Sequence, residues 1–194
     1  MIEIRLLPTM EGKAKREGLS SLIAVRGTGE EMVLHPLEVA YILFMGEGKA
    51  ITEDGRELDF NEYLGLVLKT LEERCEREGV GCVLSKLFWS MFTVYYDLRK
   101  RKRKVIPEVR REGTLLEIRR NKWWAEYLVL EEGVEITIDE LLSWVEDVRA
   151  NDLNSIVAIV DRNGSVTYYE TSKATLRAPR SKPSEGDQLF PTSS

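Results

Sequence analysis

The sequence has a single histidine, His35, and only two cysteines, Cys75 and Cys82, among 194 residues. That scarcity excludes the usual zinc quartets, which draw their ligands from closely spaced Cys and His. It also leaves a histidine acid or base only one place to sit. Apolar runs are short: none approaches the roughly 20 residues of a membrane-spanning helix. Met1-Ile2-Glu3-Ile4-Arg5 lacks the basic-then-apolar layout of a secretory signal. A cytoplasmic chain with no membrane partner, no metal and no cofactor is expected. Two readings of the cysteines stay open. They are buried thiols in a reducing compartment, or a disulfide across the break between two helices, as hyperthermophile proteins use.

What the sequence has in quantity is charge: 31% of residues are charged and the net charge is −5. The distribution is uneven. Residues 95–122 hold eleven Lys and Arg against four Asp and Glu, so the remainder carries −12. A basic stripe on an acidic body suits phosphate contact or docking onto an acidic partner. Part of it, Arg99 to Lys104, also ends an apparent helix, where cations oppose the negative pole of the dipole and face water.

Apolar periodicity orders the rest. Strands are expected at Ile2 to Leu7, Leu22 to Arg26 and Met32 to Leu34. His35-Pro36 then opens a helix marked by Leu37, Ala40, Tyr41 and Phe44, with proline at the first helical position and His35 at the entrance. Lys49 to Phe60 reads as a hairpin about Asp54-Gly55. Asp59 with Glu62 forms a capping box for a helix carrying Leu64, Val67, Leu68 and Leu71. A further helix starts near Val83 with Leu87, Phe88, Met91, Phe92 and Tyr95, a stripe typical of core. Beyond it come short apolar runs at Leu115 to Ile118 and Tyr127 to Leu130. A second capping box at Thr137 and Glu140 precedes Leu141, Leu142, Trp144, Val145 and Val148 on one helical face. Ile156 to Val160 fits a strand buried on both faces, and Ser165 to Glu170 its antiparallel partner, with Val166 and Tyr168 on one face. From Leu176 the composition turns to Pro, Ser, Lys and Gly, expected as a flexible tail. The fold class is α+β. Residues 1–92 form an amino-terminal α+β domain, 93–175 a second α+β domain and 176–194 the tail.

Four segments carry a family resemblance. Leu34 to Leu43, with Gly48-Lys49-Ala50 after it, resembles the amino-terminal helix and its exit in archaeal tRNA-splicing endonucleases. Val94-Tyr95-Tyr96-Asp97-Leu98-Arg99-Lys100-Arg101 resembles the segment by which that family enters its catalytic domain. Ile156 to Asp161 with Tyr168-Tyr169 resembles its final hairpin, and Glu126-Tyr127-Leu128-Val129 its "YLV" strand. The resemblance implies a nuclease-like, restriction-endonuclease-like mixed sheet in residues 93–175.

It also implies metal-free cleavage. The 2′-hydroxyl attacks the neighbouring phosphodiester, leaving a 2′,3′-cyclic phosphate and a 5′-hydroxyl, with Tyr, His and Lys moving protons and stabilising charge. In this sequence the matching positions are Arg119, Trp124 and Asn154, and no lysine lies between Lys122 and Lys173. Arginine stays protonated at neutral pH and is no base, and an indole N–H is too weak an acid to protonate a leaving group. The resemblance therefore implies a non-catalytic, structural subunit of a heterotetrameric endonuclease, paired with a catalytic subunit as (αβ)2 on precursor tRNA. Its interface residues would be Asp161, Arg162, Asn163 and Gly164 in a turn that plugs a basic pocket, with Val166 and Tyr168 on a pairing strand. The Asn163-Gly164 turn is equally that of a plain hairpin. RNA contacts are expected at Arg99, Arg101, Arg103, Lys104, Arg119, Arg120 and Lys122. Trp123 and Trp124, adjacent in a strand, should face opposite ways with at least one exposed. It would fill the vacated pocket, join the interface or stack on a base, packing being favoured. Two rival readings remain: a standalone RNA- or protein-binding module, and an RNA nuclease with rearranged residues using Glu117 or Asp97.

Overall fold

A computed structural model describes residues 1–20 and 29–172. The expected strand at Leu22 to Arg26 and the expected tail from Leu176 lie outside the described residues. Strands β1 (Ile2–Leu6), β2 (Gly12–Lys15) and β3 (Glu31–Leu34) precede helix α1 (Pro36–Phe44), and β4 (Gly48–Ile51) and β5 (Glu57–Leu58) precede α2 (Phe60–Glu78) and α3 (Cys82–Lys100). Then come β6 (Lys104–Pro107), β7 (Thr114–Arg119), β8 (Lys122–Glu131), α4 (Ile138–Ala150), β9 (Asn154–Val160) and β10 (Val166–Glu170). The strands form two five-stranded mixed sheets, ordered β3-β2-β1-β4-β5 and β10-β9-β8-β7-β6. The parallel pairs are β1 with β4 and β8 with β9.

The local signals act as chemistry demands. The His35 ring accepts from the Leu37 N–H, and Glu38 reaches back to the His35 N–H at 2.8 Å, closing the start of α1. Asp59 and Thr137 close α2 and α4 with the same reciprocal box. Gly79, at φ 66°, ends α2 in the left-handed conformation that glycine tolerates. Three features differ from the sequence reading. β2 and β6 were not expected, and Leu142 is 37% exposed instead of sharing the buried face of Trp144, Val145 and Val148. Cys75 and Cys82 are joined in a disulfide that bridges the end of α2 to the start of α3. Of the two cysteine readings, the cross-link is the one the structure adopts.

Helix α3 positions the site. It packs on α1 and α2 as well as on β6, β8, β9 and β10. One continuous core therefore runs from Ile4, Leu34 and Ile42 through Phe88, Met91 and Tyr95 to Tyr127, Ala158 and Val160. The opposite face of the second sheet is covered by α4, whose Trp144, Val145 and Val148 meet Leu116, Leu153 and Val157. β9 thus buries both faces, as its unbroken apolar run requires.

Candidate functional site

β7 and β8 form an antiparallel pair interrupted by one irregularity. Glu117 pairs with Ala125 but Ile118 with Trp123, so Trp124 is the extra residue of a bulge. The bulge sets the direction of Trp124. Strict alternation would put it on the α4 side with Glu126; instead it packs with Ala125 and Tyr127 against the α3-side core. Trp123 is left 54% exposed. The two indoles therefore divide into one packed and one exposed.

On this face Arg119 lies over the Trp124 ring, its guanidinium carbon 3.1 Å from the centroid. Asn154, at the start of β9, donates through Nδ2 to the Trp124 carbonyl at 2.9 Å. Arg119, Trp124 and Asn154, the positions where the resemblance would place Tyr, His and Lys, thus form one cluster at one end of the second sheet. A cavity of about 220 Å³ opens beside them, lined by Arg101, Arg103, Arg119, Trp124, Tyr127 and Tyr168 among others.

Its electrostatics centre on Glu117, 1% exposed in the middle of β7. Glu117 accepts from Arg103 Nη1 at 2.9 and 3.1 Å, from Arg119 Nε at 2.6 Å and from the Tyr127 hydroxyl. Asp97 of α3 accepts from the Tyr168 hydroxyl at 2.7 Å and pairs with Arg101 Nε at 2.9 Å. Burial, and then hydrogen bonding to Glu117, pushes the Tyr127 phenol well above its ordinary range. Burial and the Asp97 bond do the same to Tyr168. Two tyrosines therefore border the cavity, and both hold their protons against carboxylates. The sequence names Glu117 only as a rival nuclease residue and Tyr127 only within the "YLV" strand; their pairing beside the cavity is visible only in the fold. The available signal was a lone acid inside the apolar run Leu115 to Ile118, which a buried strand tolerates only when the acid is paired.

The remaining expected site residues divide. Arg101, Arg120 and Lys122 are exposed, and Arg103, Lys104 and Arg119 partly so. Arg99 requires correction: it is 4% exposed, stacked on Tyr41 and Tyr95 with its guanidinium carbon 5.0 and 5.8 Å from their centroids. It belongs to the core, because α3 is still packed at that turn. His35 caps α1, and its Nε2 lies 3.2 Å from Glu108. Among the described residues no group of three or more His, Cys, Asp or Glu is placed to hold a metal ion, and no helix is long and apolar enough to cross a membrane.

In the β9–β10 turn, the Asp161 carboxylate accepts from the backbone N–H of Asn163 and of Ser165, both at 2.8 Å. The one acid of the expected plug is thus engaged within its own turn, while Arg162, Asn163 and Gly164 are exposed. Val166 packs on the core, and Tyr168 turns inward to Asp97 with its ring edge-on to Tyr127. Tyr169 is the exposed aromatic of β10, at 54%.

Residues 88–168 match the family model described as tRNA intron endonuclease, catalytic C-terminal domain. The chain is also 26% identical over 176 residues to a tRNA-splicing endonuclease of Pyrococcus abyssi (strain GE5 / Orsay), covering 88% of this chain and 95% of that protein. The match takes in most of α3, strands β6 to β9 around the arginine cluster and part of β10, so the second half of this chain is similar to the catalytic C-terminal domain of tRNA intron endonucleases.

Proposed function

We propose that this chain is a non-catalytic subunit of a tRNA-splicing endonuclease, assembling with two catalytic chains and a second copy of itself on precursor tRNA. One observation carries the reading. Where the chemistry requires a base, an acid and a free cation, the cluster holds a stacked arginine, an indole and an amide: Arg119, Trp124 and Asn154. The nearby tyrosines offer no substitute, because each phenol donates to a carboxylate that opposes its ionisation. A phenol so held is a poor acceptor of the 2′-proton.

In this reading residues 1–92 and 93–175 are two units sharing α3, and the chain contributes surface instead of chemistry. β10 lies at the edge of its sheet, and a partner strand there would satisfy its outward N–H and C=O groups. The turn at residues 161–164 would meet the partner through Arg162 and Asn163, since Asp161 is engaged locally. The exposed cations Arg101, Arg120 and Lys122 would lie along the RNA backbone, giving uniform, salt-sensitive attraction.

The test is to mix the purified chain with a catalytic subunit, then measure particle mass and cleavage of intron-bearing transcript. The mixture should form a four-chain particle that cuts, with little activity from either component alone. A catalytic subunit fully active without this chain would contradict the proposal.

A further inference from the structure

We infer that the arginine-lined cavity beside Trp124 seats one backbone phosphodiester of single-stranded RNA and holds it without cutting it. This deepens the reading above by naming the ligand of the cavity, and rests on it only for the source of the RNA. Three guanidinium groups border the space, those of Arg101, Arg103 and Arg119. Each is fixed by a carboxylate: Asp97 meets Arg101 at Nε, and Glu117 meets Arg103 at Nη1 and Arg119 at Nε. These contacts do not use the terminal nitrogens of Arg101 and Arg119, which present the planar fork that binds phosphate oxygens. Stacking on Trp124 holds Arg119 in place, so little freedom is lost when a ligand arrives.

Charge and size agree with that ligand. Three cations face two carboxylates, leaving one positive charge that a single phosphodiester neutralises. The cavity, about 220 Å³, lies below the roughly 300–1,000 Å³ of sites that enclose whole small molecules. A phosphate with its adjoining sugar atoms suits it better than a complete nucleotide. The surroundings favour a polymer over a free anion or an acidic peptide. The β7–β8 turn carries exposed Arg120 and Lys122, and Trp123 next to it is 54% exposed. Repeated cations suit successive phosphates, and an exposed indole suits an unstacked base.

The test uses the full chain without any partner, so its outcome is independent of the assembly proposal. Binding of a labelled short oligouridylate is followed by fluorescence anisotropy across a salt series. Arg101→Gln and Arg119→Gln are compared with Lys69→Gln, a control whose side chain is 73% exposed on α2. Each cavity variant should weaken binding roughly tenfold. Each should also reduce the slope of log K against log salt by about 0.7, the share of one phosphate on a single strand. Lys69→Gln should change neither. Arg119→Gln also disturbs Glu117, so Arg101→Gln, at a more exposed position, decides the matter if the other fails to fold. Unchanged affinity and slope in Arg101→Gln would overturn the inference. Competition identifies the ligand: unlabelled oligouridylate should displace the probe, whereas inorganic phosphate and polyglutamate at matched charge should not. Equal displacement by inorganic phosphate would make this a free-anion site, and equal displacement by polyglutamate a protein-docking site; either result overturns the inference.

Discussion

A carboxylate in the middle of a buried strand must be neutralised by its immediate neighbours, and Glu117 gathers two arginines and a phenol to do so. That arrangement sets the properties of the cavity. It holds Arg103 and Arg119 in place, keeps Tyr127 protonated and joins β7 to β8 across the bulge. Glu117→Gln removes the charge while keeping the shape, leaving two guanidinium groups and a phenol poorly matched. It should lower the unfolding free energy by about 3 kcal/mol in urea titration; a change within about 0.5 kcal/mol, the usual range for a surface site, would show that the pair is not structural. At this scale the sequence was partly legible. That Arg119, Trp124 and Asn154 cannot supply a base and an acid could be read from residue identity alone. The proximity of Arg119 to Trp124 could not, because it depends on a bulge that no residue type announces.

Among the elements, those with strong local chemistry were the readable ones. The capping boxes at Asp59 and Thr137, the Asp54-Gly55 turn and the unbroken apolar run of β9 each declare themselves over a few residues. β2 did not, because its inward positions are Gly12 and Ala14, too small to register as an apolar pattern. Gly12 is required there: a Cβ would stand 2.3 Å from Ile4 Cγ2 and 2.9 Å from Val39 Cγ2, where α1 crosses the sheet. β6 was hidden by the basic run that leads into it. The α2–α3 junction depends on the Cys75–Cys82 bridge, which limits the unfolded chain across the Gly79 and Gly81 break. Changing both cysteines to serine should cost about 2–3 kcal/mol on the chain-entropy account, seen as a lower denaturant midpoint. Added reductant should produce the same shift in the native protein and none in the double variant.

For the molecule as a whole, the shared core makes both sheets part of one arrangement around α3. It also places titratable groups where alkali finds them. Tyr63, Tyr95, Tyr127 and Tyr168 are all held above the ordinary phenol value of 10.0, with burial the largest cause in each. The folded state keeps these protons after the unfolded state has released them. Their contribution to stability is therefore present below pH 10 and lost as pH rises beyond it. Phenolate absorbance should show these four ionising only together with loss of near-ultraviolet ellipticity; ionisation near pH 10 in the folded protein would contradict the buried geometry. Charge asymmetry was visible in the sequence, but only the fold separates Arg99, enclosed in the core, from the arginines that border the cavity. The central claim, that this chain brings no proton-transferring groups to the phosphate, is most directly tested by incubating the highly purified chain alone with intron-bearing transcript and analysing the ends. The account predicts intact RNA at enzyme excess, and 2′,3′-cyclic phosphate ends produced by this chain alone would contradict it.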